Sequence, residues 1–176
     1  MSDDDVIDVP LEDFDIFVHQ SRERFDKEEL QNLAANINQN GLLQPGVAWF
    51  DEDRGRLILV AGERRYRALK IAGKTTMAVR VVRGRLTQSQ LLEINVSENL
   101  QRSNLTAIER GKAFRRLMQL EGITGREVAA RLKVSDATVS REISLLDLPD
   151  DLQAMIADGE LPSSVGAALA RLDDNE

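Results

Sequence analysis

Three clusters in this 176-residue sequence combine side-chain types at spacings that could do chemistry. The first is Gly62-Glu63-Arg64-Arg65-Tyr66-Arg67-Ala68. It follows the apolar run Leu57-Ile58-Leu59-Val60-Ala61 and opens a helical stretch that Gly73 ends. A strand that turns through glycine into a helix start presents backbone N–H groups with no intrahelical partner. Adjacent arginines add rigid forks that match phosphate oxygens. The glutamate among these cations could hold a metal ion, position a water or pair with an arginine. An ordinary strand–helix junction with surface arginines is the plainer reading of so short a motif. The second cluster, Glu98-Asn99-Leu100-Gln101-Arg102, adds a carboxylate, an amide and another guanidinium.

The third cluster is a helix-turn-helix pattern over residues 124–146. Thr124 with Glu127 makes a capping box for a short helix with Val128, Ala129 and Leu132 inward. Ser135 caps a second helix, expected to anchor through Val139, Ile143 and Leu146. Ala129 is small enough for the helices to cross closely, and Val134 plugs the turn. Asp136, Ala137, Thr138, Ser140 and Arg141 are then left near the exposed start of the second helix, where short polar side chains can approach base edges or phosphates. Arg126 and Arg131, with Arg115 and Arg116 upstream, are candidate phosphate contacts. An αα-hairpin inside a helical bundle is the competing reading, and Lys133 stands in the turn where glycine is often found.

The elements that must position these clusters follow from periodicity and punctuation. Val6, Ile7, Val9 and Leu11 suggest an edge strand, and residues 16–25 read as a loop. Asp26 with Glu29 caps a helix that buries Leu30, Leu33, Ala34 and Ile37 and stops at Gly41. Residues 47–50 and 56–61 form a hairpin around the turn Asp51-Glu52-Asp53-Arg54-Gly55, and residues 77–83 make a third strand. A helix capped by Thr87 and Gln90 is expected to end near Glu98-Asn99. Beyond it the pattern is helical throughout, with Thr106 and Glu109 as another capping box and Gly122 and Pro149 as stops. The fold class is therefore an α+β domain over residues 1–100 followed by an all-α domain over residues 101–176.

Composition narrows the chemistry. The absence of cysteine removes thiol catalysis, disulfides and cysteine-bound zinc. The single histidine, His19, cannot build a histidine metal site or triad alone. No apolar run approaches membrane-spanning length and no signal-peptide pattern opens the chain, so a cytoplasmic protein is expected. The net charge of −7 is unevenly distributed. Residues 1–15 hold seven acids and no base, and residues 147–176 hold eight acids and one base. The middle holds 22 bases against 15 acids, a basic body suited to a polyanion.

Taken in order, Gln20-Ser21-Arg22-Glu23-Arg24-Phe25-Asp26, Gly41-Leu42-Leu43-Gln44-Pro45, the arginine-rich box, the Glu98 to Arg102 box and the helix-turn-helix ending in Leu145-Leu146-Asp147-Leu148-Pro149 resemble the ParB family of DNA-segregation proteins and their plasmid-partition and repressor relatives. The resemblance implies specific double-stranded DNA binding by the helical half and binding of CTP with Mg²⁺ in the α/β half. It implies a homodimer that nucleotide and DNA close into a sliding clamp, slow hydrolysis that releases it, a nucleoid or plasmid location, and a partner ATPase of the ParA type. By position, Gly62, Glu63, Arg64 and Arg65 would cradle the triphosphate. Arg22 would reach it with Gln20 alongside, Gln44 and Pro45 would lie against the base, Glu98 and Asn99 would hold the metal, and Arg102 would brace the phosphates. Glu63, Glu98 and Gln20 are the candidates to position the hydrolytic water. A triphosphate with Mg²⁺ does need forked cations, backbone donors and a carboxylate or amide.

Two positions depart from the family pattern. Ser21 stands where proline is usual, and Gly46 stands where an aliphatic residue is usual. They motivate a second reading, a plasmid transcription repressor of the same family with little or no hydrolysis. Family members typically continue into a dimerisation domain that nothing here resembles, so a truncated piece or a short variant is expected.

Overall fold

The computed structural model describes residues 6–18, 26–101 and 105–173, and the chain divides into two compact units, residues 1–87 and 88–176. The first unit contains strands β1 (Val6–Pro10), β2 (Phe14–Ile16), β3 (Gly46–Asp51), β4 (Arg56–Ala61) and β5 (Thr76–Val82), with helices α1 (Lys27–Asn40) and α2 (Glu63–Ile71). The strands form one mixed sheet in the order β1-β5-β3-β4-β2. β3 and β4 are the expected antiparallel hairpin, and β5 returns parallel to β3 after α2. β1 is the expected edge strand, and it lies antiparallel on β5. β2 corrects the sequence reading. Ile16, expected in a loop, pairs with Leu59 in a parallel ladder with β4. Three residues are too few to show an alternation, and the partner strand lies some forty residues away.

Side chains from the sheet and both helices share one core, with Phe14, Ile37, Leu59, Tyr66, Leu69 and Val79 among its buried members. Tyr66, inside the arginine-rich box, is a core residue. Its hydroxyl donates to the Leu11 carbonyl at 3.2 Å and its ring meets Phe14 edge-on at 6.2 Å. Trp49 donates to the Gly84 carbonyl at 2.7 Å. Both aromatics therefore do the packing work expected of them.

The second unit contains α3 (Gln88–Gln101), α4 (Ala107–Glu121), α5 (Gly125–Leu132), α6 (Asp136–Ser144), α7 (Asp150–Ala157) and α8 (Ser163–Asp173). α3 runs past Asn99 to Gln101 instead of ending near Glu98-Asn99, because none of the residues between breaks a helix. Thr106 and Thr124 form full capping boxes with Glu109 and Glu127, and Gly122 closes α4, as read from the sequence. In the α5 box, hydrogen bonds from the Thr124 backbone N–H and then its hydroxyl hold the Glu127 carboxyl below its ordinary value. A lowered folded-state pKa contributes stability above the unfolded pKa and loses it as pH falls through the folded one.

The inward face of α6 is the main correction. Val139, Glu142 and Leu145 are buried, while Ile143 and Leu146 are only half-buried. Val139, Glu142 and Leu145 follow one another at i,i+3 spacing on the inner face, and the chain tightens into a 3-10 turn from Leu145 to Asp147. Glu142, 1% exposed, is gripped by Arg110 of α4, with Nε–Oε2 at 2.9 Å and Nη2–Oε1 at 2.6 Å. The third guanidinium nitrogen of Arg110 donates to the Leu105 carbonyl at 2.8 Å. The helices meet at Gly111, where a Cβ would stand 2.2 Å from the Glu142 carbonyl oxygen.

Three outcomes are expected in urea unfolding. Arg110→Ala leaves a buried carboxylate unanswered and costs about 3–5 kcal/mol. Gly111→Ala forces α4 off α6 and costs at least about 3 kcal/mol, the upper range for overpacking. Lys133 sits at φ 56°, ψ 39°, the positive-φ non-glycine residue among those described. Lys133→Gly should therefore raise stability by roughly 0.5–1 kcal/mol, the left-handed strain less the added freedom of the unfolded chain.

Candidate functional site

The turn between β4 and α2 is built from close backbone approach. Gly62 caps α2 at φ 108°, a conformation that side chains resist. A Cβ there would lie 3.2 Å from the Gly46 Cα. Gly46, the departure from the family pattern, is equally confined, since a Cβ would lie 2.7 Å from Met77 Cε and 3.2 Å from the Ala61 carbonyl. An aliphatic residue there would require Met77 to swing its terminal methyl aside and the neighbouring backbone to give slightly, whereas glycine lets β3 and the phosphate-type turn lie against each other without that adjustment.

The charged residues of the motif separate into distinct tasks. Arg65 points Nη1 at the carbonyls of Gln44 and Pro45, at 3.0 and 2.5 Å. It tethers the loop before β3 to the start of α2. Arg64, 30% exposed in its side chain, pairs with Glu29 of α1 at 3.1 Å. Glu63 opens α2, and its Oε1 accepts from Arg67 Nε and Nη2 at 2.8 and 2.5 Å. The arginine pair is one of the three roles the sequence leaves open to this glutamate. The i,i+4 spacing of Glu63 and Arg67 was the available signal. Glu29, expected only as part of a cap, has a second role on Arg64, and only the packing of α1 beside α2 brings it there. The α2 start can therefore offer an anion its first-turn N–H groups, the positive end of the helix and Arg64 in exchange for Glu29.

Gln20, Arg22 and Arg102, with His19 and Ser21, lie outside the described residues. Glu98 and Asn99 sit half-buried in the last turn of α3, in the second unit. Asn99 Nδ2 donates to the Asn95 carbonyl at 2.9 Å. Among the described residues no three acidic or histidine side chains gather into a metal cage. Nucleotide-bound Mg²⁺ needs only one or two protein groups beside phosphate and water, so a carboxylate next to an amide is a sufficient donor set.

The helix-turn-helix presents a second candidate site. α5 and α6 pack together, and the Lys133 N–H closes α5 on the Ala129 carbonyl. Val134 is half-buried in the turn. Ser135 is the cap, its Oγ accepting from the Thr138 N–H at 3.0 Å and lying 2.7 Å from the Thr138 hydroxyl. Those two hydroxyls are thus engaged with each other. Asp136, Ala137 and Ser140 are exposed on α6, and Arg126 is exposed on α5. Arg141 is half-buried, and its Nε is buried without a hydrogen-bond partner. Two of the arginines expected at phosphates have partners inside the protein. Arg115 holds Asp147 at 2.8 Å and the Ile143 carbonyl at 3.2 Å. Arg131 bonds Glu121, which raises the guanidinium pKa, and Glu121 is held low first by Ser89 and then by Arg131. Arg116 is exposed.

Residues 1–100 match the ParB N-terminal domain and residues 103–176 match the ParB HTH domain. A probable chromosome-partitioning protein ParB from Chlamydia trachomatis is 33% identical over 98% of this chain. The chain spans 62% of that relative's length. Among solved structures, a C-terminally truncated chromosome-partitioning protein ParB from Caulobacter crescentus, complexed to the centromeric parS site, is 32% identical with a TM-score of 0.65, covering 93% of this chain and 84% of that one. The Caulobacter crescentus ParB complexed with CTP-γ-S is 32% identical with a TM-score of 0.50, covering 95% of this chain and 92% of that one. With both domains matched in order along almost its whole length, the chain belongs to the ParB family.

Proposed function

We propose that this chain is a sequence-specific DNA-binding partition protein that binds CTP with Mg²⁺ and serves chromosome or plasmid segregation. The observation that carries this reading is the turn at Gly62. One helix start combines first-turn donors, an exchangeable arginine and an arginine-tethered loop at Gln44 and Pro45, in a chain that also carries an exposed recognition-type helix. Gly62, Glu63, Arg64 and Arg65 form the phosphate-binding part, Glu63 and Arg65 through their first-turn backbone N–H groups, and Gln44 and Pro45 form the base-facing part. Glu98 and Asn99 are the metal-holding residues, while Arg22 and Arg102 are further phosphate contacts by family position. We take residues 1–100 as the nucleotide-binding domain and residues 101–176 as the DNA-binding domain, with Arg126, Ser135, Asp136, Ala137, Thr138, Ser140 and Arg141 at the DNA. Relatives complexed with parS and with CTP-γ-S support both halves.

Slow hydrolysis switching a homodimeric clamp, with Glu63, Glu98 and Gln20 at the attacking water, and action beside a ParA-type ATPase complete this reading. A nucleoid- or plasmid-associated cytoplasmic location follows from it. Among the described residues no helix is long and apolar enough to cross a membrane. One observation favours the repressor reading with little turnover. Glu63, 10% exposed in its side chain, is bound twice by Arg67. Both bonds end on one oxygen and hold the carboxylate along α2, which limits how it can turn toward a water.

Calorimetry with Mg²⁺ and CTP, with ATP and GTP as controls, tests the nucleotide half, and no CTP binding at millimolar concentration overturns it. Arg64→Ala should weaken CTP at least tenfold, the ordinary worth of a charge-assisted contact, and leave DNA affinity in place. Arg141→Ala should do the reverse. Phosphate release with and without cognate DNA separates the hydrolysing clamp from the repressor.

A further inference from the structure

We propose that Asp136 determines part of the DNA sequence this chain reads, by requiring a cytosine in the major groove. The inference rests on the DNA-binding reading above and deepens it. Asp136 is the first residue of α6 and is exposed. Its neighbours at the tip are spoken for or mute. Ser135 and Thr138 bond each other, and Ala137 offers only a methyl. The hydroxyl of Ser140 lies one turn further along the same face. The strongest hydrogen-bonding group that this tip presents to solvent is therefore a carboxylate.

A carboxylate is a costly group to bring to DNA. The phosphates repel it, and the base edges of thymine and guanine meet it with acceptors only. The cytosine N4 amino group is a pure donor in the major groove and meets a carboxylate, an acceptor-only group, without conflict. Adenine pairs a donor with an acceptor and is matched by an amide instead. Asp136 thus selects by attraction to one base and by repulsion from the others. The cations that bring the helix to the groove lie elsewhere. Arg126 is exposed on α5, Lys133 is exposed in the turn, and Arg141 is the basic residue of α6. Residues i and i+4 of a helix rise about 6 Å, close to two base-pair steps. Ser140 therefore addresses a base pair about two steps from the one that Asp136 reads.

The test is selection from a randomised duplex library with the full chain and its Asp136→Asn and Asp136→Ala variants, followed by affinities on the selected site. Thermal melts of all three proteins confirm that α6 folds. The wild-type should enrich cytosine at one position. Asp136→Asn should shift that position alone to adenine, and Asp136→Ala should lose preference there by about 10-fold to 100-fold, the usual worth of a specific base contact. Replacing that cytosine with 2-pyrimidinone, which lacks the amino group, should weaken the wild-type by a similar factor and leave Asp136→Ala unchanged. Arg126→Ala should lower affinity for all sequences equally. If Asp136→Ala keeps the wild-type preference at every position, or if its affinity merely rises for all sequences, the assignment is overturned and Asp136 is only a helix-start charge. A wild-type chain that enriches no sequence overturns the DNA-binding reading, and this inference with it.

Discussion

Glu142 places a carboxylate on the buried face of α6, and Arg110 answers it with both prongs of its fork. An unpaired charge at that depth is not tolerable, so the position of α6 relative to α4 is set by the reach of one arginine. Gly111 makes the same demand sterically, because the α4 backbone there runs against the Glu142 carbonyl. Together they fix the rotation of α6 about its own axis. That rotation decides that Asp136, Ala137 and Ser140 face solvent while Val139 and Leu145 enter the core. Arg110 also holds the Leu105 carbonyl, so the approach to α4 is tied to the same pair.

The first unit uses arginine in a related way at its surface. Arg65 is committed to two backbone carbonyls, and Glu63 and Arg64 each have an ionic partner. A cluster that reads as three converging cations and one acid is, without a ligand, a set of satisfied pairs. Arg64 is the member whose partner, Glu29, is on another helix and half-exposed, so an anion can compete for it at small cost. The glycines at 46 and 62 explain why the loop and the helix start can lie so near each other.

Much of this architecture was legible in the linear chain. Capping boxes at Thr106 and Thr124, the Ser135 cap and the hairpin of β3 and β4 all depend on residues close in sequence, and local pattern reports them faithfully. The inward residues of α5 were equally plain. β2 was not legible, because a three-residue strand has no pattern of its own and exists through β4. The burial of Glu142 was not legible either, since a glutamate at a helical position reads as surface unless its partner is known.

The sequence alone determined the helix starts, most of the stops, the three chemical clusters and the family, because each rests on local backbone preference or on a motif read along the chain. Tertiary structure alone decided which charges remain available for a ligand. Arg115 and Arg131 are paired at the surface with Asp147 and Glu121, the Arg65 side chain is bonded to a loop, and Glu29 is brought to Arg64. Apart from the local Glu63–Arg67 pair, these partnerships join residues from different elements. An ion pair or hydrogen bond depends on distance in space, which spacing in sequence does not specify until the helices are packed.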